Sequence, residues 1–207
     1  MYLAGGDQTA FYLGANSPEH WARLQSFDLT VTRDGLEEWW KTINDAYPDS
    51  EEEEHLLALY ERAISFDDRD LAQRYLDRWA AQEPDSNAKW CKLKYEYAQL
   101  GDFRESARIA ARMLDCSESL WDKASALRDL IGFLRRSGEF SLSLSAARKL
   151  DSTLAAFDDW VGVGLGRMSI HEVFELSLSH PDAADAFQAF SLGDLWFQRN
   201  RSRPGEQ

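Results

Sequence analysis

The chain has 207 residues, 44% hydrophobic and 13% aromatic, with a formal net charge of −13. That length and composition suffice to bury roughly 70% of the unfolded surface in one domain, while the negative charge argues against nonspecific binding to nucleic acid or anionic membrane, which needs clustered lysine and arginine. No stretch approaches the roughly 18 apolar residues of a membrane span, and residues 1–7 lack a cationic start, so neither a membrane segment nor a signal peptide is expected.

Residues 1–16 contain glycines and sustain no hydrophobic period, which predicts an irregular arm. Helical order starts at Ser17-Pro18-Glu19, serine as the cap and proline in the first turn, where its missing N–H is harmless. Trp21, Leu24 and Phe27 form the edge of a short helix, and Asp34-x-x-Glu37 is a capping box opening a helix with Leu36, Trp39, Trp40 and Ile43 that ends before Pro48. The acidic run at 49–54 precedes the next helix, where the macrodipole favours negative charge. A helical pair follows from Glu53 onward. The pattern is clearest over 87–120. Trp90, Leu93, Tyr97 and Ala98 form one apolar stripe, and after Leu100-Gly101-Asp102 a second begins with Phe103, Ala107, Ala110, Ala111 and Leu114.

The spacing of Trp90, Leu93, Tyr97, Gly101, Phe103, Ser106 and Met113 resembles the 34-residue tetratricopeptide repeat, with Lys94 standing where that family places glycine or alanine. Shifted upstream by 34 residues, the family's register over 53–86 places Leu56, Leu59, Ala63, Ala72, Leu76, Trp79 and Pro84 at its expected positions. A third unit over 121–156, with Leu127, Leu130, Leu134, Ala147 and Leu150, matches once three residues are inserted before Gly138 and Phe140. Degenerate units at 17–50 and 157–180, a capping helix at 181–198 and a flexible tail at 199–207 complete the reading. In the last unit one helix runs from Thr153 to about Leu165, and Ser169-x-x-Glu172 is a capping box opening another to Ser179. The resemblance implies an all-α fold, a right-handed α-solenoid of helix-turn-helix repeats in a single domain over 17–198, with atypical helices covering its ends.

The resemblance also implies that the first helices of successive repeats line a concave groove. It places Lys92, Tyr95 and Gln99 there from one unit and Arg128, Gly132, Arg135 and Arg136 from the next. Glu54 and Glu61 come from the unit before, and Asp158, Val161, Gly162 and Leu165 from the unit after. The groove then runs acidic, basic, apolar. The charge along the chain agrees: residues 1–86 carry −12, residues 87–150 carry +4 and residues 151–207 carry −5. An acidic peptide or a chain terminus fits such a groove, because arginine grips carboxylates in a fork. The lysine and asparagine clamp of the family's chaperone-binding members is not matched, since Leu57 and Glu61, or Cys91 and Tyr95, occupy its places. The same bases would also balance the acidic ends within the fold, and both readings stand. Arg104, Arg108 and Arg112, four residues apart, are either a solvated face or a second contact surface on the convex side.

Signatures of chemistry are weak. His171-Glu172-Val173-Phe174-Glu175 has the outline of a zinc-protease motif with glutamate for the second histidine and no third ligand indicated. Gly162, Gly164 and Gly166 follow no strand and read as small residues for close helix packing rather than a phosphate loop. No serine or cysteine has an identifiable base, and two cysteines, Cys91 and Cys116, point to reduced thiols in a cytoplasm. Neither catalysis, cofactor nor metal is expected. The expected function is a protein-binding scaffold, adaptor or chaperone-like module. The alternative is a self-associating subunit whose exposed aromatic ends, Trp39 and Trp40 or Phe190, Leu195 and Trp196, stack between copies.

Overall fold

The structure, a computed structural model, describes residues 35, 36, 38, 41, 52–82, 86–157 and 159–201. The expected arm at 1–16, Trp39 and Trp40, the acidic side chains at 49–54 and residues 202–207 lie outside the described residues. So do the side chains of Asp158, Val161, Gly162 and Leu165. Among the described residues the regular structure is helical throughout, without a strand. The helices are α1 (Glu52–Ser65), α2 (Arg69–Ala81), α3 (Asn87–Leu100), α4 (Phe103–Cys116), α5 (Leu120–Arg136), α6 (Phe140–Leu154), α7 (Asp159–Ser179) and α8 (Ala183–Arg201). They divide between two compact units, Met1–Glu83 and Pro84–Gln207, where the sequence predicts a single domain over 17–198.

Three turns share one chemistry. The residue after each of α1, α3 and α5 that leaves the helix does so in the left-handed region: Asp67 at φ 56°, Gly101 at 86° and Gly138 at 83°. Each turn closes by the same pair of backbone bonds. Asp102 N–H donates to the Tyr97 carbonyl at 2.9 Å and Gly101 N–H to that of Ala98 at 3.1 Å; Glu139 and Gly138 repeat this with Leu134 and Arg135, and Asp68 and Asp67 with Ala63 and Ile64. This is the Schellman arrangement, which satisfies carbonyls that a helix end leaves without partners. Asp68 and Asp102 then cap the following helix, accepting from the N–H of Leu71 and Glu105. The left-handed residues stand 34 and then 37 positions apart, so the three-residue insertion legible in the sequence lies before the third turn.

In the first unit, α1 and α2 pack through Leu56, Leu59, Tyr60 and Ala63 on one side and Ala72, Tyr75, Leu76 and Trp79 on the other, all buried. In the second unit, α3 packs on α4, α4 on α5, α5 on α6, and α7 on α5, α6 and α8. A continuous core runs from Ala107 and Ala110 of α4 through Leu127, Ile131 and Phe133 of α5 and Ala147, Leu150 and Leu154 of α6 to Val173 of α7 and Trp196 of α8. The alanines let helix axes approach closely. Ser106 and Ser143 do the same while keeping their hydroxyls bonded, Ser143 to the Ile131 carbonyl of the neighbouring helix at 2.8 Å.

The C-terminal region departs from expectation in three ways. First, α7 is one unbroken helix that starts at Asp159 rather than Thr153, which belongs to the end of α6, with no stop near Leu165 and no capping box at Ser169-x-x-Glu172. Ser169 is buried in mid-helix, and Gly166 lies where an added Cβ would stand 3.5 Å from Leu154 and 3.7 Å from Trp196, so close packing on α6 and α8 outweighs the weak helix propensity of the glycines. Second, α7 pairs with α8 through His180-Pro181-Asp182, making α8 the second arm of a fourth hairpin. It runs through Arg201, beyond the expected end at 198. Third, Trp196 is not an exposed end residue but 2% accessible. Its indole N–H donates to Asp151 of α6 at 2.7 Å, and Arg199 reaches the same oxygen at 3.1 Å. Trp196→Ala should therefore cost about 3–5 kcal/mol, measured by urea denaturation; a loss below about 1 kcal/mol would show that α8 is not part of the cooperative core.

Candidate functional site

Lys92, Tyr95 and Gln99 lie on one face of α3, three and four residues apart, and Arg128, Gly132, Arg135 and Arg136 occupy a corresponding stretch of α5. The structure brings these two stretches together. Tyr95 meets Phe133 edge to face at 6.4 Å between ring centres, and its hydroxyl donates to Asp129 at 3.2 Å. Gln99 is exposed and Lys92 partly buried.

The centre of this face is a residue whose role the sequence does not reveal. Lys94 is 2% exposed, and its ammonium forms an ion pair with Asp129, whose side chain is 8% exposed. It also lies 4.6 Å from the centre of the Tyr95 ring. The lysine that departs from the repeat pattern is thus an internal link from α3 to α5. Arg128 turns onto the other Asp129 oxygen, with Nε at 3.2 Å and Nη2 at 3.0 Å. Asp129 thereby accepts from a lysine, an arginine and a phenol, which is what a buried carboxylate needs. Burial pushes the Tyr95 phenol above its ordinary 10.0, and the Asp129 charge adds to that rise. Burial by itself would lower the Arg128 pKa, but the charge and hydrogen bond of Asp129 prevail and raise it.

Further along α5, the two remaining arginines are also engaged. Glu172 of α7 accepts from Arg135 at 3.0 Å on one oxygen and from Arg136 at 3.3 Å on the other. Gly132 makes room for this carboxylate: a Cβ there would stand 3.1 Å from its carbon. Glu175 lies 3.9 Å from Arg135. Arg136, more exposed, also lies 5.6 Å from the Phe103 ring centre. The expected basic stretch is therefore a ladder of internal ion pairs joining α3 to α5 and α5 to α7, with Tyr95, Gln99 and the outer side of Arg136 open to solvent. Charge balance accounts for Arg128 and Arg135, the alternative that the sequence leaves open.

The Arg104, Arg108 and Arg112 row is divided. Arg112 stacks on Trp90 at 4.4 Å. Arg104 and Arg108 instead border a trough of about 390 Å³ between α4 and α6 that has α5 beneath it. His171 is exposed and lies 3.9 Å from Glu175, while Glu172 is turned to the arginines, so the zinc-like triplet does not converge. No cluster of three metal-binding side chains occurs among the described residues. Cys91 is partly buried and Cys116 exposed, both free thiols. No helix among the described residues is long and apolar enough to cross a membrane.

Two outcomes test this arrangement. Asp129→Ala leaves the buried Lys94 ammonium without its carboxylate and should destabilise the fold by about 3–5 kcal/mol, whereas Lys94→Met/Asp129→Leu, which removes both charges, should restore most of the loss in urea denaturation. The raised Tyr95 pKa means that the folded state holds this proton more tightly than the unfolded chain does. Its contribution to stability is complete below pH 10.0 and is lost as the pH rises through the folded value. Ultraviolet titration of wild type minus Tyr95→Phe should show a tyrosine ionising above that ordinary value; a midpoint at or below it would contradict burial beside Asp129.

No family model matches the chain, and no curated protein matches it.

Proposed function

We propose that the chain is a non-catalytic interaction module of the tetratricopeptide type. Its hairpins α3–α8 stack as a right-handed solenoid and bind a partner protein or peptide in the cytoplasm along the face made by α3, α5 and α7. The observation that carries this reading is the cross-linking of successive first helices, α3 to α5 through Lys94 and Asp129 and α5 to α7 through Arg135, Arg136 and Glu172. Such links hold a long helical face rigid before a partner arrives, which reduces the ordering cost of association. The recurring left-handed turns support the same family. Tyr95 is the anchor: a partly exposed aromatic on a fixed backbone, flanked by Gln99 and within one hairpin of Arg136. A carboxylate-bearing segment is the favoured occupant, gripped by the outer side of Arg136.

A second reading rests on a separate observation. On the last hairpin Leu178 is 82% and Phe187 69% exposed, with Phe190, Leu195 and Phe197 also accessible. An end face of this kind suits association between copies. Affinity capture from the source cells should recover a partner with the wild type and lose it with Tyr95→Ala/Gln99→Ala, once circular dichroism shows unchanged helicity. Sedimentation should give a monomer over a wide concentration range. Equal capture by both forms, together with a dimer abolished by Phe187→Ser/Leu178→Ser, would replace the first reading with the second.

A further inference from the structure

The trough between α4 and α6 is a second, chemically distinct surface. Its floor is supplied by small and branched apolar side chains, Ala111 of α4 and Leu127 and Leu134 of α5 among them, and Leu142 of α6 stands at its edge, 57% exposed. The opening exists because α5 packs on both α4 and α6 while alanines at 107, 111 and 146 leave the space above it unfilled. Arg104, Arg108 and Lys149 stand at its rim against a single acid, Glu139. The internal claims on these cations are slight. Arg104 lies 3.7 Å from Glu139 with both side chains well exposed, Arg108 pairs with Glu105 one helical turn away, and the Lys149 ammonium has no partner among the described residues. Exposed pairs of that kind hold their partners weakly. On the opposite arms of the hairpins Lys94, Arg128 and Arg135 are drawn into buried or half-buried pairs, whereas here the cations face solvent. In a chain of net charge −13 this rim is a local inversion of sign.

We infer that this trough docks an acidic, leucine-bearing segment of a partner protein in helical form, its leucines on the floor and its carboxylates along the Arg104, Arg108 and Lys149 rim. An amphipathic helix laid in a groove presents anchors three, four and seven residues apart, and an apolar floor with a cationic border selects that pattern together with negative flanks. A nucleic-acid backbone is the poorer match, because an apolar floor offers nothing to phosphates. The inference takes its class of partner from the interaction-module reading but concerns a different face, so the two fail separately.

The test uses the full chain and a fluorescein-labelled acidic peptide of about fourteen residues, roughly four helical turns. The peptide has leucines at helical spacing and glutamates elsewhere; a control replaces every glutamate with lysine. Fluorescence anisotropy should show binding of the acidic peptide that weakens with added salt, and none of the basic one. Arg104→Glu/Lys149→Glu, confined to exposed positions, should weaken it by about tenfold or more, and Leu142→Asp should do likewise. Tyr95→Ala/Gln99→Ala should leave it unchanged. Absence of binding, or equal binding by wild type and the rim variant, overturns the inference. Loss with Tyr95→Ala/Gln99→Ala alone assigns the peptide to the first-helix face, which sustains the module reading and removes the trough. Salt-sensitive binding of a labelled single-stranded oligonucleotide in preference to the acidic peptide, or a dimer dispersed by the rim substitutions, also overturns it.

Discussion

An amphipathic helical hairpin buries one stripe between its own helices and leaves apolar surface uncovered on its flanks. The second unit of this protein is arranged around that constraint. Each hairpin from α3 to α8 covers apolar surface of its neighbour, and the main core cluster passes from helix to helix, with a smaller one at Leu144, Leu176 and Ala189. Small residues at the contacts, Ala107, Ala110, Ser143 and Ala147, set how closely the helices approach, and Trp196 on the last helix fills the space that remains above Leu154 and Gly166. Because the indole is large and must keep its N–H bonded, its seat on Asp151 also fixes where α8 lies.

Hydrophobic contact alone leaves the direction of stacking weakly specified, since alanine and leucine stripes pack in several registers. The ion pairs narrow the choice. A buried lysine without its carboxylate is costly, so Lys94 and Asp129 admit only the arrangement in which α3 and α5 meet at those residues. Glu172 between Arg135 and Arg136, with glycine at 132 to admit it, does the same for α5 and α7. These pairs add orientation more than stability. They also draw charge inward, leaving an exposed first-helix surface with more aromatic and polar than cationic character.

The two sides of the stack therefore differ in what they offer. The first helices present a strip around Tyr95 whose charges are mostly paired in buried or half-buried links, and the second helices present an apolar trough whose cations are exposed and at most weakly paired. Proteins built from repeating hairpins have two long faces available for contact, and distinct chemistry on each lets one chain engage two partners without competition.

The helical pairs over 53–120 were legible from local signals, because heptad-like apolar spacing, Gly101 and Asp102 each act within a few residues of themselves. The three-residue offset before Gly138 was legible for the same reason. The unbroken α7 was not, since Ser169 and Glu172 carry the local signature of a helix start, and packing on α6 and α8 overrides it. Trp196 and the arginines show the same division: amphipathic position states that a side chain faces one side of a helix, but what lies opposite depends on residues 35 to 45 positions away. Over 53–150 the local pattern set the helices, their turns and the pairing of neighbours, because those depend on short-range backbone sterics and periodic burial. Which charges are spent inside the fold and which remain at the surface is fixed once the helices pack, because an ion pair is defined by distance in space.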